Sequence, residues 1–396
     1  MYTLWTKYGT TEQNKGDEAV KIDEFLVETW LNPRVDDCRY NFGSSCVQAF
    51  TVDELLDFID MDDRAFLEQV RRMSLHYGNF FGLDRLLSAL SSLYENVSPD
   101  MVLTVHGGTG ANNAVITELI EADGNVVALV PNYQQHYAIP QSLGAEVRLL
   151  ELREEDGYLP DLNRLEALID KKTCLVTLSN PNNPTGSFID REMMKKICGM
   201  AEKVGAYVLS DEIYRGLDDA YMPSVVDVYE RGVATSSTSK VFSMAGTRIG
   251  WIVARDRETH KRLENRRSYD TICCGVFDEL IVAIALEHQE KILERSRGIV
   301  SKNREILDRW LKTQPLLRCT NKSYSSTAFV KYDDKAIPMS ATELGIDMLQ
   351  KAKTLVCHGD CFDIPHSFRL GYGYVEPAVL EEGLGVLGDY FSKLGK

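Results

Sequence analysis

Four segments of this chain hold residue types whose chemistry fits together. The first, Asn180-Pro-Asn-Asn183-Pro-Thr-Gly186, has two prolines and a glycine that make a rigid turn able to present an asparagine amide outward. The second, Ser210-Asp211-Glu-Ile-Tyr214, places a carboxylate at the end of an apolar run. The third runs from Ser237 through Ser239, Lys240, Gly246 and Arg248 to Gly250, and the fourth is Ser367-Phe-Arg369-Leu-Gly. A lysine amine can form a Schiff base with an aldehyde cofactor and then serve as the base. A pyridine ring works as an electron sink only while its nitrogen stays protonated, which requires a carboxylate partner. A phosphate calls for N–H groups at a helix start, hydroxyls and an arginine. The carboxylate of an amino acid is best gripped by a planar guanidinium. Together the segments hold one group for each demand.

The elements around these segments place them at one edge of a sheet. From Met101 to about residue 237, apolar runs (MVLTV, NVVALV, AEVRLLEL, TCLVTLS, AYVLS, VATSS) alternate with amphipathic stretches of helical period. This alternation predicts right-handed crossovers and a mainly parallel sheet covered on both faces. Ligands of open α/β sheets bind at the carboxyl ends of the strands, where the first three segments fall. Apolar spacing in KGDEAVKIDEFLVETWL predicts a helix over 15–31. A long helical stretch is expected from Asp278 to about Lys312, broken near Arg295–Gly298, followed by short strands and helices of an α+β unit. The expected layout is a three-layer α/β large domain of residues 45–285, with residues 1–44 and 286–396 forming a smaller α+β domain.

The 396 residues are 44% hydrophobic and 26% charged, an ordinary globular composition. The formal net charge is −15, which opposes binding to nucleic acid or to an anionic membrane surface. No apolar run reaches the roughly 18 residues of a spanning helix. Met1-Tyr-Thr-Leu-Trp-Thr-Lys lacks a charged stretch followed by an apolar one, so a cytoplasmic rather than secreted location is expected. The nine cysteines are scattered without a Cys-x-x-Cys pair, and the seven histidines form no ligand pattern, so no metal is expected.

On these motifs the chain resembles the class I/II aminotransferases, fold-type I enzymes that use pyridoxal 5′-phosphate (PLP). The resemblance implies that Lys240 is the Schiff-base lysine and that Ser237 and Arg248 bind the phosphate. It implies that Asp211 pairs with the pyridine nitrogen, and that Tyr214 and Asn183 hydrogen-bond the ring hydroxyl. Gly107-Gly108-Thr109 is similar to the family's phosphate loop, and Tyr133 to the aromatic stacked on the ring. Tyr77, in Tyr77-Gly-x-x-x-Gly82, is similar to the tyrosine that reaches the phosphate across a homodimer interface. Arg369 resembles the arginine that holds the substrate α-carboxylate, and Gly43 the backbone contact beside it. Asn112 and Asn113 stand where the family is usually apolar, and His358 where it often has proline.

The function these matches imply is transfer of the amino group of an L-amino acid to a 2-oxo acid. A lyase or cyclase on the same scaffold is the alternative, because the same cofactor groups serve elimination, replacement and cyclisation. The segments EFLVETWL and RYNFGSSCVQAFTVDELL are similar to capreomycidine synthase, a family relative that cyclises a hydroxylated arginine. A dinucleotide-binding dehydrogenase is disfavoured, because Asn113 stands where the third glycine of GxGxxG would be. A regulator fused to a basic DNA-binding module is rejected on charge and on the short N-terminal extension.

Overall fold

A computed structural model describes residues 21–319 and 321–394. After a short β1 (Tyr40–Asn41), seven strands follow: β2 (Val102–His106), β3 (Asn125–Val130), β4 (Glu146–Glu151), β5 (Thr173–Ser179), β6 (Tyr207–Asp211), β7 (Gly232–Ser237) and β8 (Ile249–Ala254). They make one sheet in the order β2-β8-β7-β6-β5-β3-β4. β3 to β7 pair in parallel, while β8 runs antiparallel to both β2 and β7. Every residue of β3, β5, β6, β7 and β8 is buried, which is why these strands read as continuous apolar runs rather than alternating ones. β4, at the sheet edge, is mostly half-exposed and carries charges.

The remaining strands are β9 (Leu317–Cys319), β10 (Thr327–Tyr332), β11 (Thr354–Leu355), β12 (Cys357–His358) and β13 (Ser367–Gly371). β12-β13-β10-β9 form an antiparallel sheet, and β11 pairs in parallel with β1. The chain is thus a three-layer α/β sheet structure with a smaller antiparallel sheet beside it.

Three expectations need correction. Of the helix expected over 15–31, residues 15–20 lie outside the described residues, and within 21–31 it spans only Leu26–Leu31. The Gln134 side chain accepts from the Leu26 N–H and donates to the Glu24 carbonyl, so Leu26 is not bonded to the carbonyl one turn earlier. The long C-terminal stretch breaks at Glu287–His288, between helices Val276–Leu286 and Gln289–Leu311, and runs unbroken through Arg295–Gly298. Burial of Ile292, Leu293, Ser296, Val300, Asn303 and Leu307 along one helical face outweighs the roughly 1 kcal/mol that Gly298 costs a helix interior. β8 and the helix Arg257–Asp270 were not foreseen; the helix has no regular apolar face, with Thr259, Leu263 and Arg267 its buried residues.

Trp30 anchors the N-terminal segment on the small sheet. Its indole Nε1 donates to the Val356 carbonyl at 2.7 Å, and its ring meets the edge of His358 at 4.4 Å. Burial pushes the His358 imidazole down to about 4, with Asp360 opposing. The folded state therefore holds His358 neutral in a range where the unfolded chain protonates it. Stability from this source is full above about pH 6.5 and falls as pH drops toward 4. We expect the folding free energy to drop by about 2 kcal/mol between pH 7 and pH 5 from this residue alone. Urea unfolding at several pH values should show that loss in the parent and a smaller loss in His358→Gln; equal slopes would refute it.

Candidate active site

Parallel pairing aligns the strand ends that carry the chemistry. Ser179 of β5 is in register with Asp211 of β6, which is in register with Thr235 of β7. Arg248 immediately precedes β8, whose Ile249 faces His106 at the end of β2. Thus the loops after β2, β5, β6 and β7 and the start of β8 meet at one edge. A cavity of about 800 Å³ opens there. Its walls include Gly43, Gly108, Thr109, Tyr133, Asn183, Asp211, Tyr214, Lys240, Arg248 and Arg369. Ser237 lies just behind the wall, its Oγ 3.6 Å from where a Cβ on Gly108 would stand. Tyr77 is elsewhere: it is 64% exposed and lines no part of the cavity.

At the start of the helix Gly107–Leu119 the backbone forms a cradle. A Cβ on Gly107, whose φ is +67°, would come within 2.7 Å of the Arg248 guanidinium, and one on Gly108 within 3.0 Å of Ile213. Glycine here keeps the free N–H groups of the helix open to an anion. Gly250 lets β8 approach the same turn, since its Cβ would stand 2.4 Å from the Gly107 carbonyl. The donor set of amide groups, the Ser237 hydroxyl and the exposed Arg248 guanidinium is that of a phosphate site.

Asp211 is 5% exposed. Its Oδ2 accepts from Asn112 Nδ2 at 2.8 Å and its Oδ1 from the Ile213 N–H at 3.1 Å. Asn112 in turn accepts from Thr235 Oγ1 at 2.6 Å, and His136 Nε2 lies 3.8 Å from Asp211. A buried carboxylate with fixed donors and one face toward a cavity suits a protonated ring nitrogen.

Lys240 Nζ donates to Cys46 Sγ at 3.5 Å. Burial pulls the amine's pKa down, but attraction to Cys46 and then Tyr214, against the opposing Arg369, leaves it above its usual value. Tyr133 donates its hydroxyl to Glu28 Oε1 at 3.0 Å and packs on Phe25 with ring centroids 4.9 Å apart. Burial, then the Glu28 charge, raise its phenol well above the ordinary value. Arg369 is 2% exposed; Nη1 donates to Asn183 Oδ1 at 2.8 Å and Nη2 to the Gly43 carbonyl at 2.7 Å. Each terminal nitrogen keeps a second N–H for a ligand, while Nε is buried without a partner.

Sequence reasoning noted Asn112 only as a departure and missed Cys46 and Glu28 as cavity residues. A buried asparagine on the apolar face of a helix needs a partner, which was the available signal for Asn112. Cys46 and Glu28 carry no local signal, because only folding brings their segments beside Lys240 and Tyr133. Among the described residues, no group of three or more His, Cys, Asp or Glu is placed to hold a metal ion, and no helix is long and apolar enough to cross a membrane. Replacing Asn112 with leucine removes a bond to a buried carboxylate and leaves Thr235 unpaired. The expected loss is about 1.5–3 kcal/mol of stability at neutral pH, read from urea midpoints; an unchanged midpoint would show that Asn112 does not hold Asp211.

Comparison with known proteins agrees with this geometry. The aminotransferase class I and II family matches residues 51–387. An aspartate aminotransferase of Pyrococcus horikoshii is 27% identical over 310 residues, covering 76% of this chain and 77% of that protein. Capreomycidine synthase of Streptomyces vinaceus is 25% identical over 368 residues, 92% of each chain. A crystal structure of a PLP-dependent aminotransferase from Streptococcus suis matches with a TM-score of 0.91 and 37% identity, over 95% of this chain and 99% of that one. The chain belongs to the class I and II aminotransferases, enzymes whose cofactor is pyridoxal 5′-phosphate.

Proposed function

We propose that this protein is an aminotransferase that moves the amino group of an L-amino acid to a 2-oxo acid. The observation that supports it best is the convergence of the Lys240 amine, the Asp211 carboxylate, the glycine cradle and the half-satisfied Arg369 guanidinium on one cavity. Pyridoxal phosphate, when bound, supplies an electron sink for charge developing at the substrate Cα. The Gly108 and Thr109 amides, Ser237 and Arg248 would hold its phosphate, and Asp211 would keep the proton on its ring nitrogen. Tyr133 would cover the ring face, while Tyr214 and Asn183 would meet its hydroxyl.

Lys240 Nζ would anchor the cofactor and then take the Cα proton and return it, a transfer within one side chain's reach. Arg369, with Gly43 beside it, would orient the α-carboxylate so that the Cα–H bond stands over the ring. Borohydride reduction of the holoenzyme should leave a pyridoxyl label on Lys240, and an amino acid alone should convert bound cofactor to pyridoxamine phosphate. Lys240→Ala should lose roughly 10²–10⁴-fold or more in turnover. A label on a different lysine would overturn the assignment.

A second reading is a lyase or cyclase. The 25% identity to capreomycidine synthase extends over 92% of this chain, further than that to the aspartate aminotransferase. Substrate consumed with no pyridoxamine phosphate formed would favour it. A cytoplasmic setting belongs to either reading, since an odd number of scattered cysteines suits a reducing compartment.

We further propose a homodimer in which Tyr77 reaches the cofactor phosphate of the second copy. Leu75 and Tyr269 are each 80% exposed, and Phe80, Ile272 and Phe277 are exposed beside them in sequence. Gly78 brings the two segments together, its Cβ position 3.1 Å from Val276. So many large apolar side chains in water call for a partner surface, and a twofold axis would repeat the contact reciprocally. Sedimentation should give twice the chain mass, with Leu75→Glu weakening assembly and activity together. An active monomer would refute the dimer.

A further inference from the structure

Residues 25–35 supply part of the cavity wall, and one charged side chain on it has no part in the chemistry above. Glu28 is half-buried. Its Oε1 accepts from the Tyr133 hydroxyl, and Oε2 has no hydrogen-bond partner among the described residues. The bond to Tyr133 fixes the carboxylate beside the aromatic that would cover the cofactor ring.

The charge balance of the cavity gives this carboxylate its meaning. Among the described residues, the lysines and arginines that line it are Lys240, Arg248 and Arg369. Arg369 gives one N–H of each terminal nitrogen to Asn183 and Gly43, and the second N–H of each is what the α-carboxylate would take. Lys240 and Arg248 serve the cofactor. A second carboxylate on the substrate would meet no uncommitted cation there and would be repelled by Glu28. Phe25, Leu31 and Val35, on the same wall, offer apolar surface to a methylene chain.

We propose that Glu28 is a specificity-determining residue that selects amino acids whose side chains end in a positive charge, an ammonium or a guanidinium. The methylenes would lie on Phe25, Leu31 and Val35, and the charged head would meet Glu28 Oε2. This rests on the assignment of Arg369 to the α-carboxylate.

The test is a spectral titration of the holoenzyme with L-lysine, L-norleucine and L-glutamate. These probes carry a cationic, a neutral and an anionic side chain. Lysine should bind about 10- to 100-fold more tightly than norleucine, the range of a hydrogen bond to a charged group, and glutamate most weakly. Glu28→Gln keeps an acceptor for Tyr133 and removes only the charge, so it should erase the advantage of lysine over norleucine. Glu28→Lys should invert the order in favour of glutamate. Tightest binding of glutamate by the parent would overturn the proposal. So would equal weakening of lysine and norleucine by Glu28→Gln, which marks a merely structural role. A normal visible band with no charge preference sinks this inference alone, whereas no band and no pyridoxyl label on Lys240 sinks the underlying reading as well.

Discussion

A buried guanidinium has to be solvated by the protein itself, and Arg369 meets that need by tying three distant parts of the chain together. From β13 in the small sheet it reaches Asn183, in the loop after β5, and the Gly43 carbonyl in the N-terminal segment. Losing either contact would strand a charge in a site that is 2% exposed, so the arrangement resists separation of the three segments. All three residues of this bridge line the cavity, together with Asp211 at the end of β6. Of the five N–H donors of Arg369 two are used in these bonds, and Nε has no protein acceptor. The structural tie and the proposed carboxylate grip are therefore the same side chain, which links substrate binding to the contact between the sheets.

The opposite end of the site depends on backbone geometry more than on charge. Gly107, Gly108 and Gly250 sit where side chains would collide with Arg248, Ile213 or the turn itself. Their lack of a Cβ brings β8, the helix start and the Arg248 guanidinium to a single point. Behind it, the chain from Asp211 through Asn112 to Thr235 holds a charged group rigid by hydrogen bonds across two strands and a helix. Hydrogen-bonded donors at one end and a buried arginine at the other flank the cavity, and Lys240 lines it between them. Its side-chain bond, to Cys46 at 3.5 Å, is to a weak sulfur acceptor.

Much of this was legible from residue order. Strands buried on both faces announce themselves as continuous apolar runs, and their carboxyl ends point to the site without coordinates. The segments holding Asn183, Asp211 and Lys240 were placed that way, each after a predicted strand, while Arg248 came with the Lys240 motif and the roles came from the family resemblance. The edge strand β4 was also read, from a mixed run. What escaped was β8, where Trp251 and Ile252 follow directly on the motif of Arg248, and the helix Arg257–Asp270, whose buried positions show no apolar period. The N-terminal helix was overextended because periodicity records apolar spacing and is blind to Gln134, 108 residues away from Leu26, which bonds the Leu26 N–H at the helix start.

By itself, then, the sequence determined the α/β class, the parallel strands and the identity of the groups that can do chemistry, because these depend on local spacing and residue type. Tertiary structure decided the rest. Only the fold could set Cys46 against Lys240 and Glu28 against Tyr133, since contacts across 194 and 105 residues leave no trace in local pattern. It also showed which arginine N–H groups are engaged, a matter of distance and angle that composition cannot express. Charge in the cavity follows the same rule: the whole chain is acidic, but what a substrate meets is set by the few side chains that folding turns inward.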